Sequence, residues 1–227
     1  MRTSDSFKKR RAPREKRKYA FKTPKANSYL IVTEGTSTEP NYFNGLKKKV
    51  EQHVGGNLAV VAAPNVKVHG CGRATENLIL EAEKQVSKAR IIYQNVWVIF
   101  DKDDFPDFDC AVELGRKKGY HVGWSNQSFE YWLFLHFEYS EADLHRDDWV
   151  KKLDGLFRTR GLRSDGYHKN IENIYELLDS FGGVRVAIEN AKRRMSTFGQ
   201  KRRKPSDYAP GTTVYLLVDE LVNYLAP

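Results

Sequence analysis

Hydrophobic residues in this chain gather into short runs that stop at acids. Asn95-Val-Trp-Val-Ile-Phe-Asp-Lys-Asp-Asp104 holds five apolar residues in a row, β-branched or aromatic, followed by three aspartates. A run of that length and composition suits a strand buried on both faces, as in a parallel sheet covered by helices. Ser28-Tyr-Leu-Ile-Val-Thr-Glu-Gly35 has the same design, ending in Glu34 and then a glycine for a tight turn. If the two strands lie side by side in a parallel sheet, Glu34 approaches Asp101 and Asp103 across one edge. Ligands bind at the carboxyl ends of strands in open α/β sheets, so these acids are candidates for chemistry. Crowded carboxylates repel, and raised pKa values or a bound hard cation such as Mg²⁺ relieve them. Taken alone, the three aspartates read equally well as an acidic surface turn.

Between these runs the period changes to that of a helix. Phe43, Leu46 and Val50 recur at helical spacing after Pro40, a first-turn residue, with Thr38 or Glu39 as the cap and Lys47, Lys48 and Lys49 on the outer face. Residues 57–63 and 65–68 supply the next strand, and Pro64 between them argues for an edge position or an interruption. Helices over 75–88, capped by Thr75, and over 107–118, ended by Gly119, alternate with a strand over 120–124. That alternation predicts an α/β fold with a mostly parallel four-stranded sheet and right-handed crossovers. Ser125 and Asn126 then fall on the acidic edge.

A largely buried helix over 128–137, opened by Ser128, carries Glu130 among aromatics. Glu130 reads either as a capping carboxylate or as a supporting group at the acidic site, and His136 as a satisfied core histidine. Beyond Ser140 the chain turns polar and helical over 147–158, 170–181, 184–195 and 213–225, with Gly182-Gly183 separating two of these stretches. The expected organisation is a basic tail over 1–27, an α/β core over 28–139 and a helical extension over 140–227 packed on it.

Composition narrows the classes. The 227 residues, 40% hydrophobic, suffice for one sizeable domain, and no apolar stretch reaches membrane-spanning length or forms a signal peptide. A soluble, cytoplasmic protein is expected. Cys71 and Cys110 form neither a disulfide framework nor a zinc site. The net charge of +9 resides entirely in residues 1–27, which carry eleven Lys and Arg against Asp5 and Glu15. That tail has too few large apolar residues for a core, so it is expected to be disordered and to add salt-dependent affinity for phosphate backbones. A second basic cluster, Lys192, Arg193, Arg194, Lys201, Arg202, Arg203 and Lys204 around Phe198, reads as a guide for a nucleic-acid strand or as a solvated helix end. Arg73, in the turn Gly70-Cys-Gly-Arg73, reads as a phosphate contact or a plain connector. Thr75 stands where a dinucleotide fingerprint needs its third glycine, and no Gly-Lys-Ser/Thr occurs, so both nucleotide-binding loops are excluded.

A lone Glu34 after one strand and Asp101-Lys-Asp103 after a later one resemble the Toprim pattern of nucleases, primases and topoisomerases. More closely, Ile31-Val-Thr-Glu-Gly-Thr-Ser-Thr-Glu-Pro-Asn-Tyr-Phe43, Val98-Ile-Phe-Asp-Lys-Asp-Asp104, Ser125-Asn-Gln-Ser-Phe-Glu-Tyr-Trp132 and Pro210-Gly-Thr-Thr-Val-Tyr215 resemble the RloB-like family, bacterial proteins found beside restriction and abortive-infection genes, often with an ATPase partner. Gln127 stands where that family's form has proline. The resemblance implies a Toprim-like sheet and a Mg²⁺- or Mn²⁺-dependent nuclease acting in anti-phage defence. It gives Asp101 and Asp103 to the metal, Asp104 to its outer shell, and Glu34 to coordination or to general acid–base work. Three rivals are a receiver-like phosphoacceptor with Asp101 and Ser125, a calcium loop, and a non-catalytic nucleic-acid- or partner-binding module. The lone Glu34 and the Asp-x-Asp pair count against the first, and Phe105 and Pro106 stand where a calcium loop needs a ligand and a glycine.

Overall fold

A computed structural model of the chain describes residues 22–56, 65–70, 75–103, 106–199 and 203–225. In chain order the elements are β1 (Thr23–Thr33), α1 (Thr38–Gly56), β2 (Asn65–Gly70), α2 (Thr75–Lys88), β3 (Ile91–Asp101), α3 (Phe108–Lys117) and β4 (His121–Asn126). They continue with α4 (Phe129–Phe134), α5 (Arg146–Thr159), α6 (Ile174–Phe181), α7 (Val184–Thr197), β5 (Gly211–Thr212) and α8 (Val214–Val222). The sheet order is β2-β1-β3-β4-β5, with β1 to β4 parallel and the two-residue β5 antiparallel to β4. The protein is therefore α/β with a mostly parallel sheet flanked by helices, as the alternation predicted, plus one short strand contributed from the C-terminal part. No helix among the described residues is long and apolar enough to cross a membrane.

Side chains alternate across a strand, so a continuous apolar run feeds both faces of the sheet. Tyr29, Ile31, Trp97 and Ile99 face a core shared with α1 and α4–α8, while Leu30, Val32, Val98 and Phe100 face a second core with α2 and α3. These eight side chains are nearly or fully buried, each large one stabilising the fold by about 1.5–3 kcal/mol. The larger core joins Tyr42 and Trp132 to Leu153, Leu178 and Val218: α5 packs on α4, α6 on α1, α7 on α4 and α8, and α8 on β4 and α1.

Boundaries differ from the sequence expectation where tertiary contacts intervene. Residues 23–27, assigned to the tail, begin β1, with Thr23, Pro24 and Lys25 in register with Ile91, Ile92 and Tyr93. The tail expectation for residues 1–21 lies outside the described residues. β2 lies at one edge of the sheet, one of the two readings Pro64 allowed, and 57–64 are likewise outside. Helix α1 begins at Thr38 itself, so neither Thr38 nor Glu39 is its cap. Ser128 occupies the N-cap position of α4 without a side-chain hydrogen bond, and that helix ends at Phe134. The stretch expected to be helical from 170 begins instead at Ile174, after a turn held to α1 by an Asn41–Ile171 hydrogen bond. Gly119 follows α3 at a φ of 76°, a left-handed conformation that favours glycine. His136 is a satisfied core residue, bonded to Tyr42 and to the Trp132 carbonyl, and burial pushes its pKa down to about 4.

Candidate functional site

Strand order decides where a ligand can enter this sheet. From β1 the chain passes to β2 on one side, and from β2 it returns to β3 on the other side of β1. Helix α1 lies on one face and α2 on the opposite face. The carboxyl ends of β1 and β3 therefore flank a topological switch point, the standard crevice of an open α/β sheet. Glu34 is the residue after β1, and its amide donates to the Ile99 carbonyl at 2.9 Å. Asp101 closes β3, and its amide donates to the Glu34 carboxylate at 3.4 Å. A cleft of about 290 Å³ opens there, lined by the Gly35–Thr38 turn, by Glu34, Glu39, Asp101, Asp103 and Glu130, and by Arg146 and Lys169.

Each acid is held differently. Asp101 accepts a hydrogen bond from the Phe129 amide at 3.0 Å. Asp103, at a φ of 41°, meets the Arg146 guanidinium at 2.8 Å. Glu130, 2% exposed, accepts from the Tyr167 hydroxyl at 3.1 Å and lies 3.3 Å from the Lys169 ammonium. Its partners are thus side chains from beyond α5, not Ser128. Glu39 is buried and folds its carboxylate over Gly35, where a Cβ would lie 2.0 Å from an oxygen, so only glycine permits this approach.

Burial dominates the electrostatics. It pushes the Glu34 carboxyl up to about 7, helped by the charges of Asp103, Glu39 and Asp107 and opposed by the Asp101 amide. Burial also raises Glu39 to about 6 and raises Asp101 well above the carboxylate range, with Glu39 and Glu130 adding to the latter. Burial alone would lower the pKa of Lys169, but Glu130, Asp101 and Glu39 outweigh it and hold the ammonium protonated. At neutral pH the cleft therefore combines partly protonated acids with two cations. Carboxylate oxygens are the donor type a hard divalent cation prefers, and a nearby cation would let desolvated acids ionise. Among the described residues, no group of three or more His, Cys, Asp or Glu side chains is arranged to hold a metal ion.

The remaining sequence candidates scatter. Ser125 and Asn126 sit on the expected edge but turn away from the cleft, Ser125 bonding Thr212 on β5 and Asn126 the Ser206 carbonyl. The antiparallel pairing of β4 with β5, invisible to local pattern, is the reason. Arg194 is 8% exposed, and its guanidinium donates to the carbonyls of Ala209 and Pro210, so it is not a surface contact for phosphate. Lys192 pairs with Asp219 and Glu189, Arg193 stacks on Tyr139, and Arg203 lies exposed near Phe198. Asp104, Arg73, Lys201 and Arg202 lie outside the described residues. Sequence reasoning treated Glu39 only as a cap and missed Arg146 and Lys169, which line the cleft, and Tyr167, which bonds Glu130; all three arrive only through the packing of α5 and its following loop.

The protein thus falls in the class of α/β sheets with an acidic cleft at the switch point. The family model for RloB-like proteins matches residues 29–221, and the chain belongs to the RloB-like family. No curated protein and no solved structure gives a match.

Proposed function

We propose that the protein is a metal-dependent nuclease that hydrolyses phosphodiester bonds in DNA or RNA. The observation that carries this reading is the meeting of Glu34 and Asp101 at the switch point, with the Glu34 pKa raised to about 7. A group titrating near the working pH can both take and give a proton, the property of a general acid or base beside a scissile phosphate. Asp101 and Asp103 are the residues to hold Mg²⁺ or Mn²⁺, with Asp104 in support and Glu34 completing the set. A bound divalent ion of this kind polarises a phosphoryl oxygen and lowers the pKa of a water. Glu130, tied to Tyr167 and Lys169, lines the same cleft as Glu34. The resemblance to the Toprim pattern, and to proteins beside abortive-infection genes, supports a place in bacterial anti-phage defence with an ATPase partner.

The test is incubation with labelled single- and double-stranded DNA and RNA in Mg²⁺ or Mn²⁺, comparing the parent with Glu34→Gln and Asp101→Asn. Cleavage lost in both variants while binding persists supports the nuclease. Substrates left intact by the parent, with the ATPase partner added, reject it in favour of a non-catalytic binding module.

A further inference from the structure

The C-terminal half reaches the acidic edge through the segment between α5 and α6. Tyr167, 5% exposed, packs edge-on against Phe157 and donates its hydroxyl to Glu130. The Thr38 hydroxyl donates to the Lys169 carbonyl at 2.8 Å, and Asn41 donates to the Ile171 carbonyl at 3.1 Å. Hydrogen bonds on either side therefore fix the backbone around Lys169. Its ammonium enters the cleft from a held segment.

Lys169 and Glu130 are unequal partners. The Glu130 side chain is 3% exposed and that of Lys169 64%. An ammonium carries three donors, and the Glu130 oxygen at 3.3 Å occupies one of them. Arg146, the cleft's other cation, has its guanidinium on Asp103. A phosphate approaching a cleft lined by five acids meets like charge from those that are ionised, which weakens binding unless a cation receives it.

We propose that Lys169 is the phosphate-contacting residue of the cleft. Its ammonium, held by Glu130 and the pinned segment, takes a non-bridging oxygen of a nucleic-acid phosphate and sets that phosphate against Glu34 and Asp101. The identity of the ligand rests on the nuclease reading; the contact itself is a statement about binding. The competing account is that Lys169 only neutralises buried Glu130.

A variant pair separates the two. Lys169→Met leaves Glu130 buried without its cation, whereas Lys169→Met combined with Glu130→Gln removes both charges and keeps the shape. Short labelled single-stranded DNA and RNA are titrated at fixed Ca²⁺ over a range of salt, with thermal unfolding confirming that each variant is folded. Both variants should lose about tenfold in affinity, the worth of a charge-assisted hydrogen bond. The slope of log affinity against log salt should fall by about 0.7, one phosphate contact on a single strand. Lys169→Arg should keep most of both. Parental affinity and slope in the double variant would overturn the proposal. A parent that binds through Lys169 yet cleaves nothing in Mg²⁺ sinks the nuclease and leaves this contact standing. A parent that cleaves with a KM and slope indifferent to Lys169 does the reverse. No binding of either nucleic acid by the parent overturns both.

Discussion

Two charged groups in this protein have opposite histories between sequence and fold. Glu34, Asp101 and Glu130 are scattered over nearly a hundred residues and line one cleft. Lys192, Arg193 and Arg194 are adjacent in the chain and part company: one pairs with Asp219, one stacks on Tyr139, one is buried on the carbonyls of Ala209 and Pro210. Consecutive residues on a helix point in different directions, roughly 100° apart, so a run of like charge is not a patch. The last residues of neighbouring parallel strands share an edge, however far apart they lie in the chain. Position at a strand end was therefore a better guide to a site than density of charge.

The sharpest way to break this comparison is to remove an acid from the cleft. Asp101→Asn and Glu34→Gln are each expected to lower cleavage by about 10²-fold or more, measured as initial rates on labelled nucleic acid. Retained rates would place the chemistry elsewhere. Next comes Arg194→Ala, which strands the buried Pro210 carbonyl and the part-buried Ala209 carbonyl and should cost about 2–4 kcal/mol in urea denaturation. A loss of affinity for nucleic acid without loss of stability would return Arg194 to the surface role its neighbours suggested.

A pH experiment sharpens the acidic side. Glu34 holds its proton more tightly when folded, at about 7 against an ordinary 4.5. Its stabilising contribution is present below about 4.5 and is lost as pH rises through about 7. Glu34→Gln lacks that dependence, so relative to the parent it should be more stable at pH 8 than at pH 5. Subtracting the two proteins cancels what they share, including His136, whose lowered pKa acts in the opposite sense over an overlapping range. An identical difference at both pH values would mean that the Glu34 carboxyl is not desolvated. Mg²⁺ should raise the melting temperature of the parent at pH 8 and do so much less for Asp101→Asn. The smallest effect belongs to Lys192→Ala, an exposed ion pair whose loss should stay within about 0.5 kcal/mol.

The sequence by itself determined the two apolar runs, the helix over Thr75–Lys88, the α/β alternation, and the placement of Glu34 and Asp101 just where strands stop. Those features follow from periodicity and from which residues tolerate burial, and both are properties of neighbours in the chain. Tertiary structure alone decided that β1 and β3 are adjacent, that β5 turns Ser125 and Asn126 away, that Lys169 and Arg146 line the cleft, and that Tyr167 holds Glu130. Arg194 became an internal strut for the same reason. These outcomes depend on partners far along the chain, chosen by the packing of whole elements, and no local pattern encodes which partner a side chain will meet.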